Sequence, residues 1–269
     1  MKKIICALFA GLALNAFAAG PTTEPSTGKE LATKKTATTT WNLDADAKRK
    51  AAMSPEELAW EKVLEDNLGS FYLPLYKRDK LAGKITAWDF LKDDPKLPRV
   101  LLIGDSVSRG YTLATRQAMA GKANVHRAPE NCGPTRNGLK KLDVWIGDGK
   151  WDVIHFNFGI HNRRDKPADY VRDLEQIVER LKKTGAKIVW ASTTPTPPDT
   201  KDYPAGVIEK LNEEAAKVMQ KNGVAIDDLY SAIQPKLSEF QNPNDVHFKE
   251  PGYQFLGQQV AKSLLEVLK

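Results

Sequence analysis

From Arg99 onward, short apolar runs alternate along the chain with longer segments whose apolar residues recur at helical spacing. That alternation predicts a parallel sheet covered by helices on both faces. The predicted strands are Val100 to Ile103, Asn124 to Arg127, Val153 to Phe158, Lys187 to Ser192 and Val224 to Ile226. Between and after them, Pro167 to Thr184, Val207 to Asn222 and Pro251 to Leu268 read as helices, the second stopped by Gly223. In an open sheet of this kind a ligand binds beyond the carboxyl ends of the strands, near a switch in strand order. Ser106, Gly133, His161 and the loop after Trp190 all fall at such ends.

Upstream of the sheet the pattern changes three times. Residues 44–96 form an aromatic-rich segment with a capping-box start, Ser54-Pro55-Glu56-Glu57, and partly helical apolar spacing through Leu58, Trp60, Val63 and Leu64. About 50 residues make a marginal core alone, so this is expected to be an N-terminal helical extension packed on a domain spanning 97–269. Residues 19–43 are rich in Thr, Pro, Gly, Ala and Lys and read as a flexible tether. Residues 1–18 carry Lys2 and Lys3, an apolar stretch from Ile4 to Phe17 broken only by Asn15, and Ala16-Phe17-Ala18, which together read as a cleavable secretory signal. The stretch falls short of the ~20 apolar residues of a membrane span, so a secreted or periplasmic protein without stable membrane insertion is expected.

Charge and cysteine content narrow the chemistry. Loss of residues 1–18 takes the formal charge from +6 to +4, and no lysine-arginine run or nucleic-acid module is present, so no nucleic-acid partner is expected. It also removes Cys6 and leaves Cys132 as the sole cysteine, which excludes an internal disulfide. His155, His161, Asp245 and His247 lack a recognised ligand spacing, so no metal or cofactor is implied.

The chemistry-bearing segments are Gly104-Asp105-Ser106, at the end of the first predicted strand, and Asp245-Val246-His247 near the C-terminus. A serine, an imidazole to take its proton and a carboxylate to orient the ring are what acyl transfer needs. A lone Asp-Ser pair would more simply be a helix N-cap. Here it is joined by a glycine in Asn131-Cys132-Gly133-Pro134-Thr135, by Gly159-Ile160-His161-Asn162 and by the late Asp-Val-His, in that order. These four blocks resemble the SGNH (GDSL-type) hydrolase family over about residues 97–269.

The resemblance implies a three-layer α/β/α, flavodoxin-like fold with a five-stranded parallel sheet. It implies Ser106 as nucleophile, His247 as base and Asp245 as its partner, with the N–H groups of Ser106 and Gly133 as oxyanion donors. Two positions depart from the family pattern. His161 stands where an asparagine donor is usual, and Asn244 stands three residues before His247 where an aspartate is usual, which leaves Asn244, or a Ser-His dyad, as alternatives to Asp245. Arg109, Arg127, Arg136, Arg163 and Arg164 lie at strand ends or motif loops, and Arg109, Arg163 and Arg164 are the expected contacts to an anionic substrate. The expected activity is therefore carbohydrate acetylesterase action, removing O-acetyl from a polysaccharide or oligosaccharide, in the sharper version an anionic one. A lipase or lysophospholipase, a glycan O-acetyltransferase and a degenerate glycan-binding protein are the alternatives.

Overall fold

A computed structural model of the chain describes residues 41–197 and 202–269. The expected signal peptide and nearly all of the expected tether lie outside the described residues. Five strands, β1 (Arg99–Ile103), β2 (Asn124–Arg127), β3 (Val153–Phe156), β4 (Lys187–Ala191) and β5 (Ala225–Asp227), form one all-parallel sheet in the order β2-β1-β3-β4-β5. Four predicted strands differ by a residue or two at their ends: β1 begins at Arg99, β3 stops at Phe156, β4 at Ala191, and β5 begins at Ala225 and runs to Asp227. The residues beyond β3 and β4 leave the ladder to form the loops that carry the third motif and Thr193.

Helices α1 (Leu43–Ala51), α2 (Pro55–Asn67) and α3 (Gly69–Leu81) precede the sheet. Within and after it come α4 (Ser106–Ala118), α5 (Thr135–Ile146), α6 (Pro167–Lys182), α7 (Val207–Asn222), α8 (Leu229–Ile233), α9 (Leu237–Phe240) and α10 (Glu250–Leu268). Helices α4 and α10 pack together against one face, while α5, α6 and α7 pack in sequence along the other, so the sheet is the middle of three layers. Its residues are accordingly buried from Val100 to Ile103 in β1 and throughout β3. Strand order switches direction at β1, which lies between β2 and β3, and the crevice above that switch is where the motif loops meet. Among the described residues no helix is long and apolar enough to cross a membrane.

The extension is helical only as far as Leu81, and residues 82–98 run as turns and irregular chain. Ser54 caps α2 with the full capping box expected of its sequence. Leu64, Leu68, Tyr76 and Trp88 form a small apolar core of their own, and Lys77 lies beside it with its side chain wholly buried. Lys77 Nζ is 2.7 Å from Asp46, 2.5 Å from Glu61 and 2.6 Å from Glu65, so its ammonium occupies the centre of that acidic cluster. Arg49 bonds both Asp46 and Glu61, and Lys50 bonds Glu65. Residues after α3 then follow the β2 side of the sheet: Asp93 bonds Arg99 and His126, Asp94 exchanges hydrogen bonds with Asn124, and Arg116 donates to Thr86 O.

Candidate active site

Strand β1 delivers the chain to Gly104-Asp105-Ser106, where α4 starts. Asp105, not Ser106, is the N-cap: its carboxylate accepts from Val107 N at 2.9 Å and Ser108 N at 3.5 Å. Ser106 is the first residue of the helix and stays 8% exposed, with its hydroxyl spared from capping.

The segment before α10 brings the imidazole to it. His247 Nε2 lies 2.8 Å from Ser106 Oγ and His247 Nδ1 lies 2.8 Å from Asp245 Oδ1. Asp245, one residue later than the family spacing, reaches the ring because the turn is wound tightly. Asn244 adopts φ 56°, the left-handed region that asparagine tolerates best among non-glycine residues, and Asn242 N bonds His247 O at 2.9 Å. Partial burial pushes the Asp245 carboxyl up, but hydrogen bonds from the His247 side chain and backbone outweigh this and hold it below its ordinary range. His247 and Asp245 are open to solvent, with side chains 36% and 45% exposed.

Two further loops carry the remaining motif residues. Gly133 has φ 66°, a conformation that favours glycine, and its loop is tied to β1 by Cys132 N donating to Gly104 O at 3.1 Å. Cys132 itself is buried and its thiol is pushed up to about 12 by burial, so it is an inert filler beneath the loop. After β3, Gly159 passes so close to Thr193 that a Cβ would lie 1.9 Å from Thr193 Oγ1, so only glycine fits there. The next residues split their work. Asn162 is fully buried and holds the loop together through Thr135 and Asp165. His161 keeps a buried Nε2 with no partner among the described residues. Burial first, then the charges of Arg163, Arg136 and His247, push His161 below the ordinary histidine range despite Asp105, so its ring is neutral near pH 7. In the tautomer that carries its proton on Nε2, that nitrogen is a donor whose hydrogen bond is made only when an acceptor arrives.

The arginines separate. Arg163 donates to Asp202 O and Ile160 O and lies 4.6 Å over the Tyr203 ring, close enough to His161 for its charge to be felt there. Arg164 pairs with Asp202 and both are more than half exposed. Arg136 pairs with Asp165. Arg109, one turn beyond Ser106, is turned toward the extension, 5.5 Å from the Tyr72 ring and 5.6 Å from Trp88. Arg127 is buried beneath the Ser106 turn, bonded to the Gly104 and Asp105 carbonyls. His155 lies in the core against Asp227, and His126 pairs with Asp93, so neither meets His161 or His247 as a metal set would require.

The sequence profile of the GDSL-like Lipase/Acylhydrolase family matches residues 102–255, more than half of the chain. No curated protein matches it. Among solved structures, the lipase/acylhydrolase from Enterococcus faecalis superposes with a TM-score of 0.55 at 22% identity, covering 62% of this chain and 95% of that one. The acetyl xylan esterase AlAXEase gives a TM-score of 0.54 at 12% identity, covering 62% and 99%. Axe2, an acetylxylan esterase from Geobacillus stearothermophilus, gives 0.52 at 13% identity, covering 64% and 94%. At these identities the likeness establishes the shared fold.

Proposed function

The chain belongs to the GDSL-like lipase/acylhydrolase family, and on that premise we propose that it is an exported serine esterase that removes O-acetyl groups from a polysaccharide carrying negative charge. The observation that carries the reading is the Ser106-His247-Asp245 relay, with both hydrogen bonds at 2.8 Å. Ser106 Oγ attacks the ester carbonyl while His247 Nε2 takes its proton. The tetrahedral oxyanion is held by the N–H groups of Ser106 and Gly133 and by neutral His161. The imidazolium gives its proton to the departing sugar oxygen, and water attacks the acetyl-serine through the same base to release acetate. Asp245 keeps Nδ1–H pointed toward itself and stabilises the imidazolium.

An open relay suits an acetyl group on the side of a long chain, because a polymer can lie across the site without being enclosed. Arg163 and Arg164 stand on the His161 side and motivate the choice of an anionic polymer. Ser106→Ala should reduce turnover of an activated acetate ester by a factor on the order of a million. Acetate release should be faster from acetylated anionic glycans than from acetylated xylan at low salt, and the difference should shrink as salt shortens the Debye length toward ~8 Å and less. Arg163→Ala should erode that preference and leave hydrolysis of a small neutral ester intact. Equal rates on both polymers at low salt would overturn the anionic part of the reading.

A further inference from the structure

Arg127 ends β2 with a guanidinium that is 2% exposed and whose partners are not carboxylates. It donates through one terminal nitrogen to Ser108 Oγ at 2.6 Å, and through the other to the carbonyls of Gly104 at 3.0 Å and Asp105 at 2.9 Å. Trp88 of the extension lies 6.0 Å over it and helps exclude water. A charge this deep is costly to bury, and every hydrogen bond that its two terminal nitrogens make goes to an oxygen of the turn around Ser106. Burial pushes its pKa down from the ordinary value, yet arginine stays charged in proteins.

The carbonyl of Asp105 belongs to the same peptide unit as the N–H of Ser106. A cation bonded to that oxygen draws electron density along the amide and leaves the Ser106 N–H a stronger donor. The second donor is built in the same way. The N–H of Gly133 shares its peptide unit with the carbonyl of Cys132, and Asn137 Nδ2 donates to that carbonyl at 2.9 Å while also bonding Glu130. Cys132 N in turn bonds the Gly104 carbonyl that Arg127 holds, so a single carbonyl links the guanidinium to the second loop.

We propose that Arg127 and Asn137 are positioning residues for the oxyanion hole: each grips, from the carbonyl side, a peptide unit whose N–H faces the developing negative charge. The inference rests on the reading of Ser106 as nucleophile. Arg127 supplies both alignment and positive potential, beneath the N-terminus of α4, where the helix dipole acts in the same sense. Neither residue touches substrate.

The effect belongs to the charged tetrahedral state and not to the bound ester. Arg127→Lys keeps the charge but cannot span three acceptors, and should lower kcat on a small acetate ester about tenfold or more with KM unchanged. Asn137→Ala should lower kcat by several-fold, again with KM unchanged. In both, affinity for methylboronic acid, whose boron takes the Ser106 oxygen and becomes a tetrahedral anion, should fall in step with kcat/KM. Ser106→Ala, assayed first, separates the two ideas: residual activity there removes the nucleophile reading itself. With Ser106→Ala inactive, wild-type kcat and boronate affinity in Arg127→Lys would overturn this proposal. So would a variant whose KM and melting temperature change while its boronate affinity does not. Should Arg127→Lys fold poorly, Asn137→Ala, at a half-buried position, decides the matter by the same measurements.

Discussion

Replacing Asp245 by Asn removes one charge and almost no volume, so packing is preserved and the change acts on the charge of the pair and on the tautomer of the ring. In wild type the imidazolium that forms during acyl transfer has its charge centre about 4 Å from that of the carboxylate, given the 2.8 Å contact. Two unit charges at that distance interact by about 1 kcal/mol in bulk water and about 4 kcal/mol near a protein surface. With the two side chains 36% and 45% exposed, the pair lies between those limits, near 2–3 kcal/mol. The charge term alone converts to a loss of about 30- to 160-fold in kcat/KM, well short of the ~10⁴ lost when a fully buried triad aspartate is changed. Initial rates on p-nitrophenyl acetate at several ionic strengths measure it, and the loss should narrow as salt rises because the wild-type pair is screened. A loss under about threefold would mean that His247 works without Asp245, as a dyad. A loss near 10⁴ at all salt concentrations would refute the argument that solvent screens this pair.

His161→Ala should cost ~2.7–4 kcal/mol in kcat, as removal of one oxyanion donor does, and His161→Asn should recover part of it; steady-state kinetics with unchanged KM check this. Asn244→Gly should be silent, whereas Asn244→Val, forced into the left-handed region, should destabilise the turn by about 1–2 kcal/mol and raise the disorder of His247, read from urea unfolding and kcat together. Lys77→Met should destabilise by about 3–5 kcal/mol because it strands buried carboxylates, measured by urea unfolding at pH 7. The same cluster sets an acid limit. Burial pushes Asp46 and Glu61 up, yet their bonds to Lys77 and Arg49 hold both below their ordinary values of 3.8 and 4.5. Their stabilisation is complete above those values and is lost as pH falls through the depressed ones, so tryptophan fluorescence should report loosening of the extension only under strongly acid conditions.

The sheet was legible because strands buried on both faces write themselves as apolar runs, and Val100 to Ile103 or Val153 to Phe156 could hardly be anything else. Helix α5 was not, since Gly138 interrupts its pattern; that glycine is there because a Cβ would meet Ile177 and Phe158 at 2.9 Å, a contact only the folded layer reveals. The ambiguity between Asn244 and Asp245 was a question of turn geometry, and a single positive φ settles which side chain reaches His247. Arg127 read as one of five arginines at strand ends or motif loops, and strand alternation states which side of the sheet a side chain takes but not what roof lies over it. Nothing in the sequence around Lys77 marks it as buried. Its three partners come from 12, 16 and 31 positions away, on two other helices, and no local pattern could pair them.

The path of residues 82–98 beside β2 has a consequence for the life of the chain outside its folded state. β2 is the outermost strand on its side of the sheet, and a bare outer strand offers its unpaired amide groups to any second chain. Asp94 and Leu97 meet the Asn124 side chain where that strand begins, and Trp88 covers the guanidinium where it ends. A chain trimmed back to the sheet and its covering helices would carry every residue of the hydrogen-bonded relay, and its β2 edge would be expected to be more open to pairing with a second chain.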